Sequence, residues 1–327
     1  MASLLVVTVF LATPAILILV RLYQKSTNAI CTSKKRLDGR TAIVTGGTAG
    51  IGLEIAKEFA HRGARVIIAC PFKQEGSDAL KTIIEETGNK NISFKLLDLS
   101  SLKSVREFAG NILTTEERLD LLINNAGISS LKDFQTKDGM NFIMQVNYYG
   151  HFLLTILLLP LLKKTGQPSE PSRIVNTSSY LHWFGRIDNE NMNKSGYYWI
   201  PNYQYCNSKI CMVSFSRELM RRLKGANVVV NSANPGTVGT GIYKPLGLCG
   251  LFIKNMCYLL FKTPREGAQT AIYVALDEKT GGMSGCLFGN CKESLVSPLA
   301  YWDTAKLWEE SVRLVQLTDK ELELSLK

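Results

Sequence analysis

The stretch TGGTAGIG, residues 45–52, follows the apolar run TAIVT at 41–45 and opens an amphipathic pattern that continues through His61. A strand ending in Gly46, Gly50 and Gly52 can turn tightly and bring its backbone close to a pyrophosphate. The helix behind it offers free N–H groups and the positive end of its dipole. Its place between strand and helix, more than the glycines alone, marks this turn as a dinucleotide site.

Outward from that turn, β and α patterns alternate almost to the end. RVIIAC (65–70), ISFKLLDL (92–99), LDLLINNAG (119–127), SRIVNTSS (172–179) and NVVVNSANPG (227–236) read as strands, with GCLF (285–288) a seventh. Helical periodicity fills the gaps, notably 138–163 and 203–224, and 298–317 reads as a closing amphipathic helix. The pattern predicts an α/β fold, a single Rossmann-type doubly wound parallel sheet, over residues 39–327. With 46% apolar and 20% charged residues among 327, the chain can bury a sizeable core.

Residues 24–38 read as a polar linker, and 1–23 as an N-terminal membrane-anchor helix. Ala2 to Val20 carry no charged side chain before Arg21 and Lys25. A helix of that length covers roughly 28 Å, about the hydrocarbon thickness. The charges after the apolar run put the domain on the cytosolic side. The rival reading, a cleaved signal peptide and a secreted chain, would want a basic start and a small-x-small cleavage site. The eight cysteines form no CxxC pair, and there are only three histidines, which argues against a metal site. The net charge of +10 comes from scattered basic residues without an aromatic-interleaved stripe. That speaks against nucleic acid and suits an anionic membrane surface.

Several residues are candidates for the site. Cys70-Pro71-Phe72-Lys73 ends the second strand with neither the carboxylate expected for NAD nor the arginine expected for NADP. Lys73 could approach a phosphate or be a solvated loop lysine. Asp98 could accept from an adenine amino group or serve a turn. Asn124 and Asn125 could tie strand ends or form a turn with Ala126-Gly127. In NYQYCNSKIC (202–211), Tyr205 and Lys209 stand four apart and share a helix face. An ammonium beside a phenol favours phenolate and lowers its pKa from about 10 towards neutrality, as alcohol–carbonyl proton transfer requires. Tyr203 lacks that partner. Ser178 and Ser179 end the fifth strand, where parallel sheets bind ligands, and Asn147 could hold a water behind the lysine.

Thr45-Gly46-x3-Gly50-Ile51-Gly52, Asp98, Asn124-Asn125-Ala126-Gly127, Asn147, Ser179, Tyr205-x3-Lys209 and Pro235-Gly236 together resemble the short-chain dehydrogenase/reductase family over residues 39–290. VNYYGHFLLTILLLPLLKKTG and FKTPREGAQTAIYVA resemble its membrane-anchored, retinol dehydrogenase-like branch, nearest to polyprenol-oxidising members. The resemblance implies that Tyr205 is the acid/base and that Lys209 tunes it and binds the nicotinamide ribose. It also implies that Ser179 polarises the substrate oxygen and Asn147 supports a proton relay. Thr45, Gly46, Gly50, Ile51, Gly52, Lys73, Asp98, Asn125, Pro235 and Gly236 would contact the cofactor. The implied activity interconverts a lipophilic primary alcohol and its aldehyde, polyprenol and dolichal first, with retinol or a steroid as rivals. It implies an endoplasmic reticulum membrane or lipid droplet as the place. Relatives often carry an arginine where this chain has Pro71, so either NAD or NADP fits. The apolar run 246–262 reads as a lipid-facing lid or as a buried or homodimer-interface helix. Trp183, Phe184, Tyr197, Tyr198 and Trp199 line an apolar entrance or pack their loop. A reading of another class, a non-catalytic nucleotide-binding scaffold, would have no need for tyrosine, lysine, serine and asparagine together.

Overall fold

The computed structural model describes residues 16–129, 134–196, 203–242 and 247–326. One eight-stranded sheet organises them, in the order β3-β2-β1-β4-β5-β6-β7-β8. The strands are β1 (Thr41–Thr45), β2 (Arg65–Cys70), β3 (Ile92–Leu96), β4 (Leu121–Asn124), β5 (Ser172–Thr177), β6 (Val228–Asn234), β7 (Leu287–Gly289) and β8 (Lys292–Glu293). The first seven are parallel, and β8 folds back antiparallel on β7. Strand order reverses between β1 and β4, and at the C-terminal ends of such a switch point doubly wound sheets place their ligand crevice. This is the doubly wound parallel sheet read from the alternation, and the antiparallel edge β8 adds to it.

Two cores flank the sheet. On one face α1 (Gly50–His61), α2 (Lys73–Thr87) and α7 (Pro264–Leu276) pack Phe59, Ile83 and Ile272 against the β strands. On the other, α3 (Leu102–Thr115), α4 (Phe142–Thr165) and α5 (Tyr203–Arg222) bury Phe108, Phe152 and Phe215. Helix α4 is long and apolar enough to cross a membrane, but 89% of its apolar window is buried in the protein. It is a core helix. Among the other helices are α6 (Gly247–Leu260), α8 (Thr304–Leu314) and α9 (Asp319–Leu326).

The closing helix differs from the one expected at 298–317. A 3-10 turn covers Pro298–Tyr301, and α8 starts afresh at Thr304 after Asp303 takes a left-handed φ of 50°. Its Trp308 packs edge-on to Phe152 at 5.1 Å. The segment 24–38 also behaves differently from a free linker. Residues 16–27 are helical, and the stretch that follows is pinned to the domain. Arg62 donates to the carbonyls of Ser33 and Lys35, both at 2.8 Å. The Cys31 N–H reaches Gln269 Oε1 at 3.1 Å, and Leu37 is 2% exposed. A chain starting at residue 24 should therefore melt near the full-length value. One starting at residue 40 loses Leu37 and should melt at least about 5 °C lower, given a few kcal/mol for one buried leucine. Equal midpoints in calorimetry would show that the segment is a tether only.

Candidate active site

The turn after β1 runs through Gly46, whose φ is +63°, and enters α1 at Gly50. No side chain caps α1, so its first N–H groups are left to a ligand or water. Gly52 sits where a Cβ would fall 2.2 Å from Gly46 O and 2.5 Å from Asn125 Nδ2, so only glycine lets the helix close on the turn. Ile51 is half-buried beside it, and Thr240 from the loop after β6 comes up against Gly50.

Thr45 is fully buried and ties the ends of β1 and β4 together. Its hydroxyl accepts the backbone N–H groups of Asn125 (2.9 Å) and Ala126 (3.0 Å). Asn125 also donates its amide to Thr45 O at 3.0 Å. With both lone pairs of Thr45 Oγ1 occupied, its proton goes to His151 Nε2 at 2.9 Å in preference to Ile123 O at 3.3 Å. His151 is then protonated on Nδ1, which donates to the carbonyl of Asn147 at 3.2 Å. Burial draws its pKa down to about 3, so the imidazole is neutral. Sequence reading missed His151; a lone histidine in an apolar helix gives no periodic signal.

Asn147 lies in a π-helical turn, Gln145–Tyr149, within α4. Its amide donates to Ile128 O and Ser208 Oγ, both at 3.0 Å, and its Oδ1 accepts from Ile128 N at 2.8 Å. Both amide protons are used, so this side chain holds the loop after β4 and the start of α5. Ser208 passes its own proton to Tyr205 O at 2.7 Å. Lys209 meets Asn147 across Gly127, where a Cβ would lie 3.4 Å from Lys209 Nζ and 3.6 Å from Asn147 Oδ1.

Lys209 is a second buried base whose pKa is drawn down. It is buried, donates to Thr177 O at 3.1 Å, and lies 5.3 Å from the centre of the half-buried Tyr205 ring. Burial alone draws its pKa down to about 8. The two serines separate clearly. Ser178 is buried with its hydroxyl on Lys209 O at 3.0 Å, whereas Ser179 is half-buried and caps the turn Tyr180–Phe184. Ser179 is thus the one still facing outward. Tyr197, Tyr198 and Trp199 lie outside the described residues, and Trp183 and Phe184 are exposed.

The remaining candidates lie at or after the C-terminal ends of β2, β3, β4 and β6. Asp98 Oδ1 accepts from Ser100 N and Oγ at 2.9 and 2.6 Å, the turn role foreseen for it. Lys73 is exposed at the first residue of α2. Half-buried Pro235 and Gly236 follow β6, and Gly236 lies against the buried Lys262, which no sequence pattern had marked. Asn124 donates to Asn176 on β5 and to Thr155 on α4, both at 2.8 Å, so it ties two strand ends and a helix, where sequence reading favours a plain turn. Among the described residues, three polar atoms at strand ends are buried without a partner: Asn124 Oδ1, Thr177 Oγ1 and Asn234 Nδ2. Together with the uncapped α1, these orphans and the glycine cradle fit an elongated polar ligand that carries a diphosphate.

Comparison with known proteins agrees with this geometry. A family model described as short chain dehydrogenase matches residues 40–247. Retinol dehydrogenase 13 of Homo sapiens is 41% identical over 298 residues, covering 89% of each chain. Retinol dehydrogenase 11 of Mus musculus is 40% identical and covers 94% of this chain and 96% of its own. Among solved structures, the Pseudomonas aeruginosa RhlG/NADP active-site complex superposes with a TM-score of 0.63 at 26% identity, over 81% of this chain and 98% of that one. These relatives bear out the retinol dehydrogenase-like branch; their names say nothing of a polyprenol substrate.

Two outcomes follow from the buried network. His151→Phe leaves the Thr45 proton only the longer contact to Ile123 O and removes the imidazole donor to the Asn147 carbonyl, and should cost about 1–3 kcal/mol. In a denaturant double-mutant cycle with Thr45→Val the two losses should overlap; strict additivity would refute the shared bond. Lys209, with its folded pKa depressed, costs stability fully below about pH 8, and the cost fades as pH rises towards the free-lysine value. Lys209→Met should therefore leave the thermal midpoint at pH 7 unchanged or higher; a lower midpoint would contradict the burial argument.

Proposed function

The chain belongs to the short-chain dehydrogenase/reductase family, in its retinol dehydrogenase-like branch, and from that premise we propose that it interconverts a lipophilic primary alcohol and its aldehyde at a membrane surface. It is an NAD(P)-dependent oxidoreductase. The observation that carries the site reading is the buried Lys209, set beside Tyr205 and across Gly127 from Asn147.

When bound, the nicotinamide supplies the hydride acceptor or donor. Gly46, Gly50, Ile51 and Gly52 with the start of α1 would hold the diphosphate. Lys73 and Asp98 stand toward the adenosine end, and Asn125, Pro235 and Gly236 toward the nicotinamide. In the oxidation direction Tyr205 takes the hydroxyl proton as the carbonyl forms, and Ser179 holds that oxygen by a hydrogen bond. The Lys209 ammonium favours the phenolate and donates to the ribose. Reduction runs the same proton back. Residues 1–23, most of which lie outside the described residues, are read as the anchor.

Retinol heads the substrate reading because relatives about 40% identical carry that name. Polyprenol with dolichal, and a steroid, stand behind it. Purified full-length protein should transfer hydride with at least one of these alcohols or aldehydes and NAD(H) or NADP(H). Tyr205→Phe should lower kcat at least about 100-fold, and Tyr203→Phe should not. Equal losses would mean the wrong tyrosine was chosen. Cofactor binding with no turnover across the panel would favour the scaffold reading.

A further inference from the structure

Helix α6 has the sequence GLCGLFIKNMCYLL, in which Lys254 is the single charged residue. A helix apolar on all sides belongs in a protein core or in lipid. This one buries only Gly250, Cys257 and Leu260, a single stripe facing the domain. Off that stripe Leu248 is 86% exposed, Phe252 66%, Tyr258 53% and Leu251 52%. On a water-facing helix those positions would carry charge.

The N-terminal helix at 16–27 lies beside α6. Arg21 donates to Leu259 O at 2.8 Å, and Lys25 pairs with Glu266 at the start of α7 at 2.5 Å. This helix also exposes Ile16, Ile18, Leu19, Leu22 and Tyr23. The chain that feeds it, residues 2–15, has no charged side chain. Two neighbouring helices thus present apolar side chains outward, with Arg21, Lys25 and Lys254 among them. Apolar area with basic residues at its edge matches the headgroup–acyl boundary of an anionic bilayer. Contiguous apolar surface of this kind is uncommon on a soluble monomer.

The same helix is coupled to the crevice. Gly239 lies close against Lys254 O and Tyr258, where a Cβ would fall within 2.7 Å. Val238 pairs with Lys262 just past the helix, and both follow Pro235-Gly236. We propose that α6 is a second membrane contact, lying in the bilayer interface beside the N-terminal helix and setting the crevice mouth at lipid depth. The lipophilic substrate then enters from the bilayer without crossing water. That last step rests on the proposed function; the membrane contact does not.

Cys249 lies on the outward side of α6 and is exposed, and the other cysteines are buried or half-buried. In the full-length chain it can carry an environment-sensitive nitrobenzoxadiazole label, with Cys249→Ser as the labelling control. On phosphatidylcholine/phosphatidylserine vesicles, the emission should shift to the blue and become protected from aqueous dithionite. A chain carrying Leu251→Glu and Phe252→Glu should remain vesicle-bound through its N-terminus and keep its cofactor affinity. It should lose the shift, and its KM for vesicle-embedded retinol should rise at least about tenfold. No shift on vesicles would overturn the proposal. So would protection without lipid in a dimer that the double substitution splits, which would assign the face to a second copy of the chain. If no alcohol turns over, the functional reading falls, and the label alone still decides the membrane contact.

Discussion

At the point where β1 leaves the sheet, the hydroxyl of Thr45 takes two backbone N–H groups from the end of β4 and gives its proton to His151 on α4. Three elements meet at that one oxygen, and two of them, β1 and β4, are the strands between which the order reverses. A buried hydroxyl with every bond made is stiff, because each alternative geometry leaves a polar group unsatisfied in a low dielectric. The glycine turn can approach Asn125 only because this tie holds Asn125 in place. Through His151 and the Asn147 carbonyl, the same tie reaches the turn of α4 that faces Lys209. The glycine turn and the Tyr205–Lys209 pair are therefore parts of one rigid body.

Within that body the costly element is Lys209. Its burial disfavours the ammonium, and one of its three N–H groups goes to Thr177 O. An amine with donors to spare, across Gly127 from Asn147, is poised for a polar ligand in the crevice. The orphaned Thr177 Oγ1 and Asn234 Nδ2 tell the same story, since buried polar atoms without partners are rare unless a ligand or water completes them. Stability is held low here and recovered in the two cores, where Phe59, Phe152 and Phe215 are fully buried.

What could be read from the sequence was local or periodic. Strand alternation, the glycine turn after TAIVT and the four-residue spacing of Tyr205 and Lys209 each sit inside one element, and the structure keeps them. What escaped depends on packing between distant segments. His151 looks like any histidine in an apolar helix until Thr45 is placed opposite it. Ser178 and Ser179 differ only in which one the backbone of α5 captures. Segment 24–38 reads as a linker because its anchors, Arg62 and Gln269, lie far along the chain. Helix α6 reads as a lipid-facing lid or as a buried or interface helix, since composition cannot say that only one stripe is covered. The edge strand β8, two residues long, has no pattern to detect.

The central claim is that Lys209 tunes Tyr205, and the pH dependence of single-turnover alcohol oxidation tests it most directly. With the lysine in place, the rate should rise through an inflection well below the ordinary tyrosine value. In Lys209→Met the inflection should move up toward about 10, with a lower plateau. An inflection that stays where it was, whatever the loss of rate, would contradict the account and leave Lys209 a role only in binding the cofactor.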